Sequence, residues 1–290
     1  MNTRESRYVT VARIAYQLAQ ATMPSYWHRK SPHRFTVPQL AACVMVAYYM
    51  KLSYRDMEEW LLASDKVCQA LELKEIPDHS TLNRAFHRLR MRNLDQMNQK
   101  LLEELQVEED AIGVDSTGYS LSEASVYYQT RSGRVQREFI KGAYAIGTRS
   151  QLILCWRQGR APSGDARLLN ALRRGAHRYG RVEGRRHVWV LLADGGFDGK
   201  MARPDDLIPP RWFRGAYHPS PERQARRELV DAARLDGLFG QRWKCETVFS
   251  VIKRKLGDTI RSRLLTYQLR ESALKGLVYN IHVQPFLHPA

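Results

Sequence analysis

The hydrophobic period of this chain changes once, near residue 110, and that change limits the folds open to it. Up to about residue 105, apolar residues recur at spacings of three and four, the pattern of amphipathic helices. Thr36 with Pro38 opens one helix through LAACVMVAYYM, and Ser53 opens another that sets Tyr54, Met57 and Leu61 on one face. Over residues 80–90, Leu82, Ala85, Phe86 and Leu89 form a stripe that leaves Asn83, Arg84, His87, Arg88 and Arg90 outward. A recognition helix of the helix-turn-helix kind has this pattern, and so does a bundle helix with a solvated basic face. LDQMNQKLLEEL predicts one more helix before the acidic run at 108–110.

From Ala111 onward short β-type runs take over: AIGVDSTGYS, ASVYYQT, REFIKGAYAIG and QLILCWRQ. A helix follows from about residue 165 through LLNALRRGAHRYG, then a buried strand HVWVLLAD, a short strand near WFRGAY and two helices. Strands first, then alternation of strand and helix, predict a mixed sheet with helices on its faces. A chain of 290 residues is long enough for two such domains.

Charge narrows the partners. The 46 Lys and Arg against 30 Asp and Glu leave a net +16, a field suited to DNA, RNA or an anionic membrane. Residues 131–186 alone hold fourteen Arg or Lys against three Asp or Glu, a density that would track a phosphate backbone. The longest apolar stretch, residues 40–50, falls well short of the roughly 20 residues of a bilayer span. The first residues show no secretory pattern. Cys43, Cys68, Cys155 and Cys245 form no Cys-x-x-Cys pair, so neither a zinc site nor a disulfide framework is expected, and a cytoplasmic location is.

Three acidic residues stand out against this basic background. Asp115 interrupts the apolar run AIGV, where a carboxylate is costly unless hydrogen-bonded or bound to metal. Asp194 closes VWVLLA just before two glycines, at the carboxyl end of a buried strand, where open α/β sheets bind ligands. Glu246 lies on a helix that buries Cys245, Val248, Phe249, Ile252 and Leu256, with Arg242 and Lys253 on neighbouring parts of the polar face. Each has a structural reading as well: a buried hydrogen-bonded Asp, an Asx turn and a surface ion-pair ladder. Gathered by a fold, the three would supply the oxygen ligands that divalent cations prefer.

The order Asp115, Asp194, Glu246, with the string RWKCETVFSVIK, resembles the DDE transposases of prokaryotic insertion sequences. Their signature, Tyr-x2-Arg-x3-Glu-x6-Lys, is matched in spacing by Arg242, Glu246 and Lys253, with Phe239 at the tyrosine position. ADGGFDG resembles the family's second-aspartate motif, with Gly195 and Phe197 as departures from its usual Lys-Gly-Tyr ending. YRDMEEWL, PDHSTLNRAFHRL and SGDARLLNALRR resemble further family segments, and the short stretch before Glu246 leaves no room for a large insertion domain.

The resemblance implies an α/β, RNase H-like mixed sheet with flanking helices over residues 108–290, preceded by an all-α, helix-turn-helix-like DNA-binding domain over 1–107. It implies that Asp115, Asp194 and Glu246 are catalytic and hold two Mg²⁺ ions, with Mn²⁺ as a substitute. It also implies that Arg242 and Lys253 meet phosphates, that Arg84 and Arg88 contact DNA, and that a homodimer synapses terminal inverted repeats before joining them to target DNA in the nucleoid. A catalytically silent DNA-binding relic or repressor, and an RNase H-like nuclease, are the alternatives. Trp212 and Trp243 either stack on an unpaired terminal base or, more plainly, fill the core. His79, His87, His177 and His218 show no ligand spacing.

Overall fold

The computed structural model describes residues 5–30, 32–121, 139–161, 163–211 and 220–287. The strands expected at ASVYYQT and near WFRGAY lie outside the described residues, as do Trp212 and His218. The chain forms two compact units.

The first unit is all-helical: α1 (Arg7–Thr22), α2 (Val37–Met50), α3 (Tyr54–Leu62), α4 (Asp65–Ala70), α5 (His79–Arg88) and α6 (Met91–Glu104). Local chemistry sets the helix starts. The Thr36 hydroxyl accepts from the Gln39 N–H at 3.3 Å while the Gln39 side chain accepts from the Thr36 N–H at 2.9 Å, a capping box with Pro38 in the first turn of α2. Ser53 and Asp56 make the same reciprocal pair at the start of α3. Helix α5 is capped by Asp78, whose carboxylate accepts the Thr81 N–H at 2.9 Å. Leu82, Phe86 and Leu89 are buried as the stripe requires, and Arg84 and Arg88 are exposed.

The core of this unit also takes in Arg254–Gly257 and the chain from Leu274 onward. Leu274, Leu277, Val278 and Ile281 are fully buried there, and the buried Asn280 side chain donates to Asn98 at 2.7 Å. These residues belong to the second half of a long helix, α10 (Leu265–Leu287).

The second unit is built on a mixed sheet of β1 (Ala111–Leu121), β2 (Phe139–Gly147), β3 (Ile153–Arg160), β6 (Val190–Ala193) and β7 (Thr259–Ile260). A separate two-stranded ladder joins β4 (Val182–Glu183) to β5 (Arg186–His187). In the main sheet the order is β3-β2-β1-β6, with β7 also pairing β1. β1, β2 and β3 run antiparallel, whereas β6 and β7 pair β1 in parallel. The helices are α7 (Leu169–Ala176), α8 (Pro221–Leu235), α9 (Trp243–Leu256) and α10 (Leu265–Leu287), the last two contributing here as far as Lys253 and Ala273.

Register assigns the helices to opposite faces, since residues paired across strands point the same way. Val114, Ala145 and Cys155 are successive partners on one face, and there the Cys155 thiol meets α7, its Sγ 3.3 Å from the Leu172 carbonyl. Asp115 and Tyr144 are partners on the other face, where the Tyr144 ring lies 5.7 Å from that of Phe249 on α9. Helix α9 buries Cys245, Val248, Phe249, Ile252 and Leu256, the five residues its periodicity picks out. The fold is thus a mixed sheet with helices on both faces and an all-helical N-terminal region, as the change of period predicts.

Candidate active site

The parallel ladder between β1 and β6 brings the first two carboxylates side by side. Val114 pairs with Ala193, so Asp115 and Asp194 each directly follow a paired residue on two adjacent strands, Asp194 just past the end of β6. Asp194 begins a 3-10 turn, Gly195–Phe197, and its Oδ1 accepts the Gly196 N–H at 2.8 Å. The Asx-turn reading and the strand-end reading of this residue therefore both apply. Asp115 stays inside β1, with its side chain 15% exposed.

Glu246 reaches the same region from α9. Arg242, at the end of the 3-10 turn that leads into this helix, donates to Asp115 Oδ2 at 3.1 Å and to Glu246 Oε1 at 2.9 Å. A single guanidinium thus links a strand carboxylate to one 131 positions away in the chain's numbering, on an exposed helical turn. Burial pushes the Asp115 carboxyl up to about 6. The Ser116 N–H and Arg242 pull it down, while Asp194 and Glu246 push it further up. The influence of both on Asp115 places all three acids in one electrostatic neighbourhood.

Two close contacts hold this arrangement. A methyl group on Gly113 would lie 2.5 Å from Cys245 Sγ, so only glycine lets α9 sit this near β1, one residue before Glu246 and two before Asp115. On the other side, the side chain of Asp198 is buried and pairs with Arg223 of α8 at 2.5 Å and with Arg226, and its carboxylate also accepts the Arg211 N–H at 2.8 Å. The turn after Asp194 is thereby tied to α8. Neither contact was expected from the sequence, although the second aspartate of ADGGFDG and the arginine-rich start of α8 were visible there.

Phe239 opens the turn that ends at Arg242, and it packs against the cluster of Ala111, Leu192, Leu207, Val230 and Ala233. The guanidinium of Arg234 lies 5.3 Å from its ring centre. The position is apolar. Lys253 is half-buried nearly three turns along α9 and makes no hydrogen bond or ion pair among the described residues. Trp243 departs from the plainer expectation of a core position: it is 56% exposed, one residue from Arg242. Arg84 and Arg88 belong to the helical unit and are taken up below.

Among the described residues no three His, Cys, Asp or Glu side chains stand close enough to hold a metal ion as they are. The chemistry of the donor set nonetheless fits a hard divalent cation. It consists of carboxylate oxygens, one of them desolvated enough to resist ionising alone, and the cation lying between Asp115 and Glu246 is the guanidinium of Arg242. No helix among the described residues is long and apolar enough to cross a membrane. No curated protein matches the chain. A family model described as Transposase DDE domain matches residues 107–281, more than half of the chain and all five of Asp115, Asp194, Arg242, Glu246 and Lys253, so the chain belongs to the DDE transposase family.

Proposed function

We propose that this transposase cleaves DNA at the ends of an insertion sequence and transfers the freed 3′-hydroxyl to target DNA, with Asp115, Asp194 and Glu246 as its catalytic carboxylates. The observation that carries the reading is the convergence of Asp115 and Glu246 on Arg242, with Asp194 next to Asp115 by strand register. DDE transposases use divalent metal ions, and here the three carboxylates would hold them, Mg²⁺ or Mn²⁺ and two in number. When bound, such ions supply Lewis-acid stabilisation to the attacking and leaving oxygens of an in-line displacement.

The chain's own groups then have separate tasks. Asp115 must be ionised to serve as a ligand, and its partly desolvated position gives it a strong preference for a cation at close range. Arg242, released from the carboxylates, and Lys253 lie within one helix length of the site and suit the phosphates flanking the scissile bond. In the helical domain, residues 1–107, the exposed Arg84 and Arg88 of α5 meet duplex DNA, the terminal inverted repeats first among it. Bringing two such ends together calls for two subunits, most simply a symmetric homodimer, working at the nucleoid.

The test is nick mapping on a supercoiled plasmid that carries the gene and its flanking DNA, incubated with Mg²⁺ and either wild-type protein or Glu246→Gln. Cuts at flanking inverted repeats by wild type, reduced more than about a hundredfold in the variant with DNA affinity kept, are the expected result. Scattered cuts would favour a nuclease, and site protection without cutting by either protein would favour a silent binding protein. Arg84→Ala and Arg88→Ala should each lower the salt dependence of DNA binding by about one counterion.

A further inference from the structure

The helical unit contains a cleft of about 730 Å³ between residues 26–30 and 32–35 on one side and α5 on the other, within the size range of ligand pockets. Its walls combine aromatic faces with cations. Tyr26 stacks on His33, their ring centres 4.0 Å apart and 12° from parallel, and Trp27 beside them is 38% exposed. Across the cleft stand Arg84 and Arg88, one helical turn apart. The Arg84 guanidinium is steadied by the hydroxyls of Ser80 at 3.1 Å and Thr81 at 3.2 Å, and Arg88 makes no hydrogen bond or ion pair among the described residues.

The charge left over in the cleft is positive. Asp78, its one lining carboxylate, is engaged by the Ser80 and Thr81 hydroxyls and the Thr81 N–H of the helix cap, which hold it ionised well below the usual carboxylate range. A paired duplex offers phosphates to protruding cations but keeps its base faces stacked inside the helix. Aromatic walls set back in a cleft, facing two arginines, are complementary to a base already out of the stack together with its own phosphate.

We propose that this cleft receives one unpaired nucleotide of the bound DNA, its base against Trp27 and the Tyr26–His33 stack and its phosphate on Arg84 and Arg88. The inference rests on the reading of α5 as a DNA-facing helix and adds to it a preference for unpaired substrate. It concerns recognition in the helical unit and requires no bond to form or break.

Fluorescence anisotropy of labelled DNA tests it, with full-length wild type, Trp27→Ala and Trp27→Phe. Two probes share one sequence: a fully paired duplex, and the same duplex carrying a single unpaired nucleotide as a bulge or a terminal overhang. Wild type is expected to bind the unpaired probe about tenfold more tightly. Trp27→Ala should lose that preference while keeping its affinity for the paired probe, and Trp27→Phe, which preserves an aromatic face, should keep most of it. Equal binding of both probes by wild type, or a preference unchanged in Trp27→Ala, would overturn the cleft assignment and leave α5 as a duplex contact. Failure of wild type to bind either probe would overturn the DNA-facing reading of α5 and the cleft with it.

Discussion

The two units assemble their charged groups by opposite routes. In α5, Arg84 is steadied by hydroxyls three and four residues away, and the helix itself is capped by Asp78 immediately before it. Both of these partners of Arg84 lie within about one turn of it. In the sheet unit, Arg242 meets Asp115 across 127 positions of sequence, and Asp194 reaches Asp115 only through the β1–β6 register. The basic helix therefore depends on short-range rules, whereas the acidic site depends on a strand ladder, a helix seat and a buried ion-pair cluster being correct together. A substitution in the first should act alone; one in the second should propagate.

The sharpest way to break this contrast is to remove a support rather than a site residue. Asp198→Ala would leave Arg226 buried without its carboxylate partner, and losing one member of a buried pair costs about 3–5 kcal/mol. Thermal denaturation should show that loss, and cleavage should fall with it because the turn after Asp194 is no longer tied to α8. Unchanged stability would mean that the sheet unit does not depend on this long-range tie. Next in size is Gly113→Ala. The new methyl would press on Cys245 Sγ, and overpacking of this kind costs about 1–3 kcal/mol. Denaturant unfolding measures the cost, and the loss of cleavage should exceed what stability explains, since Glu246 is displaced along with Cys245.

Protonation provides a smaller perturbation. Because burial raises the Asp115 pKa from 3.8 to about 6, the folded protein holds this proton more tightly than the unfolded chain does. The stabilising contribution is complete below pH 4 and is lost as pH rises through 6. Metal binding has the opposite sign, since the carboxylate must be ionised to act as a ligand. Mg²⁺ affinity measured by calorimetry should fall about tenfold per pH unit below 6 and level off above 7. A flat profile between pH 5 and 7 would remove Asp115 from the ligand set. The smallest effect belongs to the helical unit: Asp78→Ala deletes one cap and should cost about 1 kcal/mol without altering cleavage chemistry, as chemical denaturation and plasmid nicking would report.

The same division explains what could be read from residues alone. The helices up to residue 105, their capping residues at 36 and 53 and the buried face of α9 follow from period and cap chemistry, which act within a few residues. Asp115, Asp194 and Glu246 were recognisable one by one because each interrupts or closes an apolar pattern. The Arg242 link between two of them, the seat of Cys245 on Gly113 and the tie from Asp198 to α8 were not, because each depends on which strands become neighbours and how closely a helix approaches the sheet. The exposed Trp243 shows the same limit: periodicity cannot say whether a large ring at the first position of a helix faces inward or out.

The membership of the helical core has a consequence in time. A ribosome delivers α1 to α6 first, yet the buried Leu274, Leu277, Val278 and Ile281, and the Asn280 that bonds Asn98, come only after the whole sheet has been made. The helices α1 to α6 must wait, with apolar surface uncovered, for residues 274–281 to close over them. Their maturation therefore follows the synthesis of the sheet, and a nascent chain interrupted anywhere before residue 274 holds an unfinished helical core however complete its strands already are.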